Sequence, residues 1–157
     1  MITYYDSVED RLVQIGSMST PGFWEGHWRR RDIKKLLKTV KVKRSIVSVT
    51  KKYLKTGIVL EAGCGAGDKV CALDAAGYKV IGVDFAKQTV QGVKSLMPQL
   101  DVRVGDVQNL AFSDRYFDGY WSLGVIEHFY GGYMPVIREM HRVLKPGGYA
   151  FLTFPCI

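Results

Sequence analysis

Val59-Leu-Glu-Ala-Gly-Cys-Gly-Ala-Gly-Asp68 is the stretch on which the fold turns. Small and apolar residues lead through Glu61 into Gly63-x-Gly65-x-Gly67, and a helix-compatible segment follows at once. Strand, glycine turn, helix is the order in which a parallel α/β sheet builds a nucleotide pocket. Glycine turns sharply and leaves no Cβ between the main chain and a ligand. The spacing then separates one pocket from another. A dinucleotide loop needs G-x-G-x-x-G, with glycine at position 68, where this chain has Asp68. An NAD-dependent enzyme is therefore disfavoured.

Downstream of this loop, strand and helix patterns alternate. Residues 58–61 read as a short buried strand, 68–76 as a helix closed by Gly77, and 78–83 as a strand. A helix over 87–97 is stopped by Pro98, and strands follow over 101–104 and 117–122. The pattern ends with a helix over 134–144, the turn Lys145-Pro-Gly-Gly148 and a strand over 149–154. Five strands with helices between them imply right-handed crossovers and a doubly wound parallel sheet. Upstream, residues 30–55 read as one helix or two. Ile33, Leu36, Leu37 and Val40 repeat at helical spacing, then Ile46, Val47 and Leu54, although the β-branched run 45–50 opposes helix there. The first 28 residues show no clear period; they carry Tyr4, Tyr5, Phe23, Trp24 and Trp28 around a Pro21-Gly22 turn signal.

Two acids fall where such a sheet would use them. Asp84 ends the second strand of this alternation, 23 residues beyond Glu61. A carboxylate there accepts two hydrogen bonds from vicinal ribose hydroxyls. A lone Asp at a strand end more often caps the next helix, but its distance from the glycine loop favours the ribose reading. Asp106, 22 residues further on, closes Val104-Gly-Asp-Val107. It either accepts from an exocyclic adenine amine or caps a turn.

The remaining landmarks are Phe117-Asp-Gly-Tyr-Trp-Ser-Leu-Gly-Val-Ile-Glu-His-Phe129 and Met140-His-Arg-Val-Leu-Lys-Pro-Gly-Gly-Tyr-Ala-Phe-Leu152. With the glycine loop and the two acids, they make residues 57–154 resemble the class I S-adenosylmethionine-dependent methyltransferases of the small-molecule type. The resemblance implies a Rossmann-like sheet of order 3-2-1-4-5 behind an N-terminal helical segment. Residues 1–56 would be an aromatic and basic segment, and 57–157 the cofactor-binding core. It implies S-adenosyl-L-methionine as cofactor, S-adenosyl-L-homocysteine as product and a small-molecule methyl acceptor. Glu61, Gly63, Cys64, Gly65 and Gly67 would cradle the amino-acid portion and sugar. Asp84 would hold the ribose and Phe85 flank the adenine, with Asp106 and Val107 at the ring. Ser122 and Leu123 would lie near the sulfonium. Cys64 reads as a small packing residue, not a nucleophile. Glu127 and His128 are general-base candidates at the pocket mouth, needed only for a protonated acceptor; a structural histidine is the competing reading. Phe23-Trp-Glu-Gly-His-Trp28 resembles the entry segment that relatives fold over the cofactor. Trp24, Trp28 and Arg29 would then form a lid, Arg29 pairing with the cofactor carboxylate; otherwise the two tryptophans anchor a helix to the core.

Departures from the family narrow the expectation. The Asn/Asp-Pro-Pro-aromatic element of nucleic-acid amino-methyltransferases is replaced by Ser122-Leu-Gly-Val, and Pro155-Cys156 falls after the fifth strand, not the fourth. DNA is thus disfavoured as substrate. The family sheet has seven strands, and strands 6 and 7 are missing here; the expectation is a fragment, or a homodimer or partner chain over the open edge. An alternative function is a non-catalytic cofactor-binding or regulatory module of the same fold. The net charge of +7 is concentrated: residues 29–55 hold twelve Lys or Arg against one Asp. A solvated lysine-rich helix face is favoured over an anion-binding surface, because Tyr53 is the block's single aromatic. There is no run of apolar residues long enough for a membrane span and no secretory signal; three cysteines form no C-x-x-C pair. A cytoplasmic protein without a metal site is expected, since His27, His128 and His141 lack ligand spacing.

Overall fold

The structure, a computed structural model, describes residues 2–8, 10–15, 20–38, 44–129 and 131–154. Its centre is a five-stranded parallel sheet. Strands β3 (Ile58–Ala62), β4 (Lys79–Asp84), β5 (Asp101–Val104), β6 (Phe117–Leu123) and β7 (Leu144–Thr153) lie in the order β5-β4-β3-β6-β7. This is the expected 3-2-1-4-5 arrangement. Helices α4 (Asp68–Asp74), α5 (Lys87–Leu96) and α6 (Met134–Val143) make the crossovers.

Strand periodicity divides the core in two. Val59, Val80, Val102 and Trp121 point to one face, where they pack with Val70 and Leu73 of α4 and Val90 and Val93 of α5. Leu60, Ile81, Val83 and Tyr120 point to the other and meet Val136, Met140 and Val143 of α6. Both faces being covered, β3 and β4 are nearly all buried, as parallel strands require.

The expected helical stretch over 30–55 is two helices, α2 (Ile33–Lys38) and α3 (Arg44–Tyr53); Val40 lies outside the described residues. The β-branched run is helical because tertiary contacts override its propensity. Ile46 is buried in the core, and Thr50 Oγ1 both donates to the Ile46 carbonyl (2.7 Å) and accepts from Trp121 Nε1 (3.0 Å). Tyr78 adds a bond from its hydroxyl to the Leu54 carbonyl at 2.6 Å.

Two features differ from the sequence reading. The first residues, which show no period, form an antiparallel hairpin of β1 (Ile2–Asp6) and β2 (Arg11–Ile15) before helix α1 (Pro21–Arg29). Five-residue strands carry too few alternations to register as a pattern. The final strand begins at Leu144, directly after α6, and not at residue 149. Leu144 pairs with Phe117, and pairing resumes at Tyr149 with Gly119. The Lys-Pro-Gly-Gly turn is therefore a bulge within the strand, with Gly147 at φ +78°.

Candidate functional site

Three consecutive strand ends, those of β3, β4 and β5, put the glycine loop, Asp84 and Asp106 side by side along the carboxyl edge of the sheet. Gly63, Gly65 and Gly67 have φ of +80°, +48° and +71°, values that an L side chain adopts at a cost. The loop is also tightly enclosed. A Cβ on Gly63 would collide with Val125, and one on Gly65 with the Trp28 ring. Main-chain amides of the loop are used internally: Gly63 and Cys64 donate to the Val83 carbonyl at 2.8 and 2.9 Å, and Gly67 to the Cys64 carbonyl at 2.9 Å. The faces of Gly63 and Gly65 are thus covered by this chain's own Val125 and Trp28.

Asp84 ties this surface to β4. Its Oδ2 accepts from the Gly65 amide at 2.8 Å and its Oδ1 from Ala86 at 2.9 Å. The side chain thus caps the turn into α5 as well as bracing the glycine loop, and each oxygen keeps lone-pair capacity for a hydroxyl. Burial raises its pKa above the ordinary carboxylate value, while the Ala86, Gly65 and Phe85 amides pull it down. Asp106 is exposed and accepts from the Gln108 amide at 2.9 Å, the turn-capping arrangement. Val107 beside it is buried under the sheet, and Phe85 is half-buried next to Asp84.

Glu61 lies at the bottom of the site with its side chain wholly buried. Neither of its oxygens has a hydrogen-bond partner, and the Ser122 hydroxyl, also fully buried, is likewise unpartnered. Burial pushes the Glu61 carboxyl up to about 8 against the pull of Lys69. Such orphaned buried groups are costly and point to a ligand that satisfies them. Cys64 is buried against Gly82, and burial, with Glu61 and Asp84 nearby, holds its thiol well above the ordinary range. That is a packing residue, not a nucleophile.

Helix α1 crosses the mouth. Thr20 caps it by accepting from Phe23 at 3.2 Å. On one side Glu25 accepts from the Gln88 amide (3.3 Å) and Arg29 donates to the Gln88 side chain (3.2 Å), fastening α1 to the first turn of α5. On the other, Trp24 meets His128 edge to face at 4.9 Å. Trp28 projects onto Gly65 between these anchors. Leu123 is half-buried at the end of β6, and the short 3-10 turn Ile126–His128 leaves Glu127 and His128 exposed. Val125 and Lys69 were not legible as site residues, for they carry no motif and only the folded loop brings them to Gly63 and Glu61. Among the described residues no cluster of three metal-ligating side chains occurs, and no helix is long and apolar enough to cross a membrane.

Residues 60–152 match the family described as "Methyltransferase domain". The chain belongs to the S-adenosylmethionine-dependent methyltransferase family. This methyltransferase-family chain is 35% identical over 97 residues to a protein of Mycolicibacterium smegmatis named a probable S-adenosylmethionine-dependent methyltransferase, covering 62% of this chain and 37% of that one. It is 37% identical over 114 residues to demethylmenaquinone methyltransferase of Staphylococcus epidermidis, covering 69% and 47%. A crystal structure of a Pyrococcus horikoshii protein superposes with a TM-score of 0.64 at 30% identity, over 69% of this chain and 54% of that one. The chain thus spans less than half the length of these two curated relatives.

Proposed function

We propose that this chain binds S-adenosylmethionine along the carboxyl edge of its sheet and directs methyl transfer to a small-molecule acceptor. One observation carries the reading: Asp84 closed onto Gly65 above a buried, unpartnered Glu61. The residues present fit that ligand. The glycine surface admits it closely once the Trp28 ring, which lies on Gly65, moves aside. Asp84 retains acceptor sites for ribose hydroxyls, and Glu61 lacks only a cationic donor, which an amino-acid ammonium supplies. Ser122 and Leu123 end the strand facing the loop, with Asp106, Val107 and Phe85 on the adenine side. Residues 57–157 then act as the cofactor core, with 1–56 as the segment that includes the cover α1.

The bound cofactor supplies a methyl group already activated as a sulfonium substituent. The protein's part is to orient the acceptor and exclude water, effects worth up to about 7–11 kcal/mol in favourable cases. Trp24 and Trp28 provide an apolar wall over the crevice. Glu127 and His128, exposed at its mouth, take a proton from an acceptor that carries one. The similarity to a demethylmenaquinone methyltransferase supports a small-molecule acceptor over a macromolecule.

Isothermal titration with S-adenosylmethionine is expected to give a single site. Asp84→Asn is expected to weaken it at least about tenfold, the loss of one charge-assisted hydrogen bond. No heat from the wild type would remove the proposal. With a methyl-accepting metabolite pool, His128→Ala should lower turnover while leaving cofactor affinity within about twofold, an energy difference well under that of one hydrogen bond; unchanged turnover would leave His128 a structural residue.

A further inference from the structure

A wholly buried carboxylate with two unpartnered oxygens cannot carry its charge cheaply unless a cation stands near. The groups that face Glu61 come from three elements. From α4 come Lys69 and the buried Asp68, from β4 comes Asp84, and from the glycine loop comes Cys64. Lys69 is the positive member of this set, its Nζ 3.7 Å from Glu61 Oε1 and 3.5 Å from Asp68 Oδ1. The first distance is that of an ion pair and too long for a hydrogen bond, so Lys69 balances the charge without using up the oxygens. Burial works against the Lys69 ammonium, yet Glu61 and Asp68 raise its basicity above the ordinary value and keep it charged.

We propose that Lys69 is a positioning residue for the cofactor: it lowers the cost of ionising Glu61 when the ligand's amino-acid ammonium is seated against it. The inference rests on the S-adenosylmethionine reading given above. Its consequence is a proton balance. Glu61 in the free protein carries its proton through most of the neutral range, since burial places its titration near 8. Seating an ammonium against it sends that proton to the buffer, so binding and proton release are linked. Asp68 and Asp84 raise the cost of the Glu61 charge and the Val70 main-chain amide lowers it, which leaves Lys69 as the side chain that offsets it.

The experiment is titration calorimetry with S-adenosylhomocysteine, which carries the same amino-acid end, in buffers of different ionisation enthalpy between roughly pH 6 and 9. Wild type should release a proton on binding, with affinity falling about tenfold per pH unit below the Glu61 midpoint. Lys69→Met should move that midpoint to higher pH and increase proton release at neutral pH. Lys69→Arg should restore the wild-type profile, and Glu61→Gln should flatten it. A Lys69→Met profile superimposable on wild type, or binding by wild type without proton release, would overturn the inference. The carboxyl carbon of Glu61 in the unliganded protein, followed by NMR, provides a second readout. Its midpoint should be higher in Lys69→Met, and an equal midpoint in both proteins would also overturn the inference. Failure of wild type to bind at any pH would instead remove the cofactor reading, while the NMR titration still judges the Lys69–Glu61 coupling. Should Lys69→Met not fold, Lys69→Gln carries the same comparison.

Discussion

Glu61 concentrates the tension between stability and function in one side chain. Its carboxyl titrates near 8 in the folded protein against an ordinary value of 4.5. A raised carboxylate favours the folded state while it is neutral. That stability is full below about pH 4.5 and is lost as pH rises through 8. Glu61→Gln stays neutral throughout, so its stability relative to wild type should increase by roughly 2–4 kcal/mol between acid and mildly alkaline pH. Thermal melts across that range check this, and a constant difference would show that Glu61 is not the titrating group. Gly65 makes the complementary point about space. Its positive φ and the Trp28 ring both oppose a side chain, so Gly65→Ala is expected to destabilise by about 1–3 kcal/mol. Urea titration of the variant is the measurement, and an unchanged midpoint would mean that Trp28 yields freely.

Among the elements, α6 does more than cover a sheet face. Its Arg142 gathers the connection between β5 and β6. The guanidinium donates to the Leu110 and Phe112 carbonyls at 2.8 Å each, to Asp114 at 2.8 Å, and to Glu139 at 2.7 and 2.8 Å. Glu139 in turn accepts from the Leu110 amide at 2.7 Å. This arrangement holds Glu139 below the ordinary carboxylate range through its bond to Arg142. The pair is partly solvent-exposed, which reduces its value. Even so, two loop carbonyls lose their partner in Arg142→Met, and a loss of about 1–2 kcal/mol is expected. Hydrogen exchange should rise at residues 106–116 and not in β3 or β4; uniform exchange would refute a local role. Helix α1 is fastened at Gln88 and at His128, and none of its residues is fully buried.

At the scale of the whole molecule, β7 is the outer strand of the sheet among the described residues and presents much of its surface to solvent. Tyr149, Phe154 and Tyr53 are exposed there, with Tyr149 and Tyr53 rings 5.6 Å apart. An open strand of ten residues with aromatic neighbours pairs readily with another strand. Ala150→Lys, at an exposed position, should therefore lower concentration-dependent association measured by light scattering, with melting temperature unchanged within about 2 °C. Equal association in both proteins would place the contact elsewhere. The basic block is the other large-scale feature. Its described Arg29, Arg30, Arg31, Lys34, Lys35, Lys51, Lys52 and Lys55 are all exposed, in keeping with a solvated helix face.

Period and punctuation in the sequence determined the parallel sheet and its crossovers, because strand alternation, the glycine loop and the helix stops are local signals. They also placed Glu61 and Asp84 at neighbouring strand ends, since parallel strands bring equivalent ends together. The pairing of β1 with β2 escaped the sequence because its strands are short, whereas the bulge at Lys145-Pro-Gly-Gly148 and the helical state of the β-branched run 45–50 were decided by tertiary contacts that override local preference. So were the approach of Trp28 to Gly65, Val125 to Gly63 and Lys69 to Glu61. Those contacts depend on how α1, α4 and the turn after β6 converge in space, and no spacing along the chain encodes that convergence.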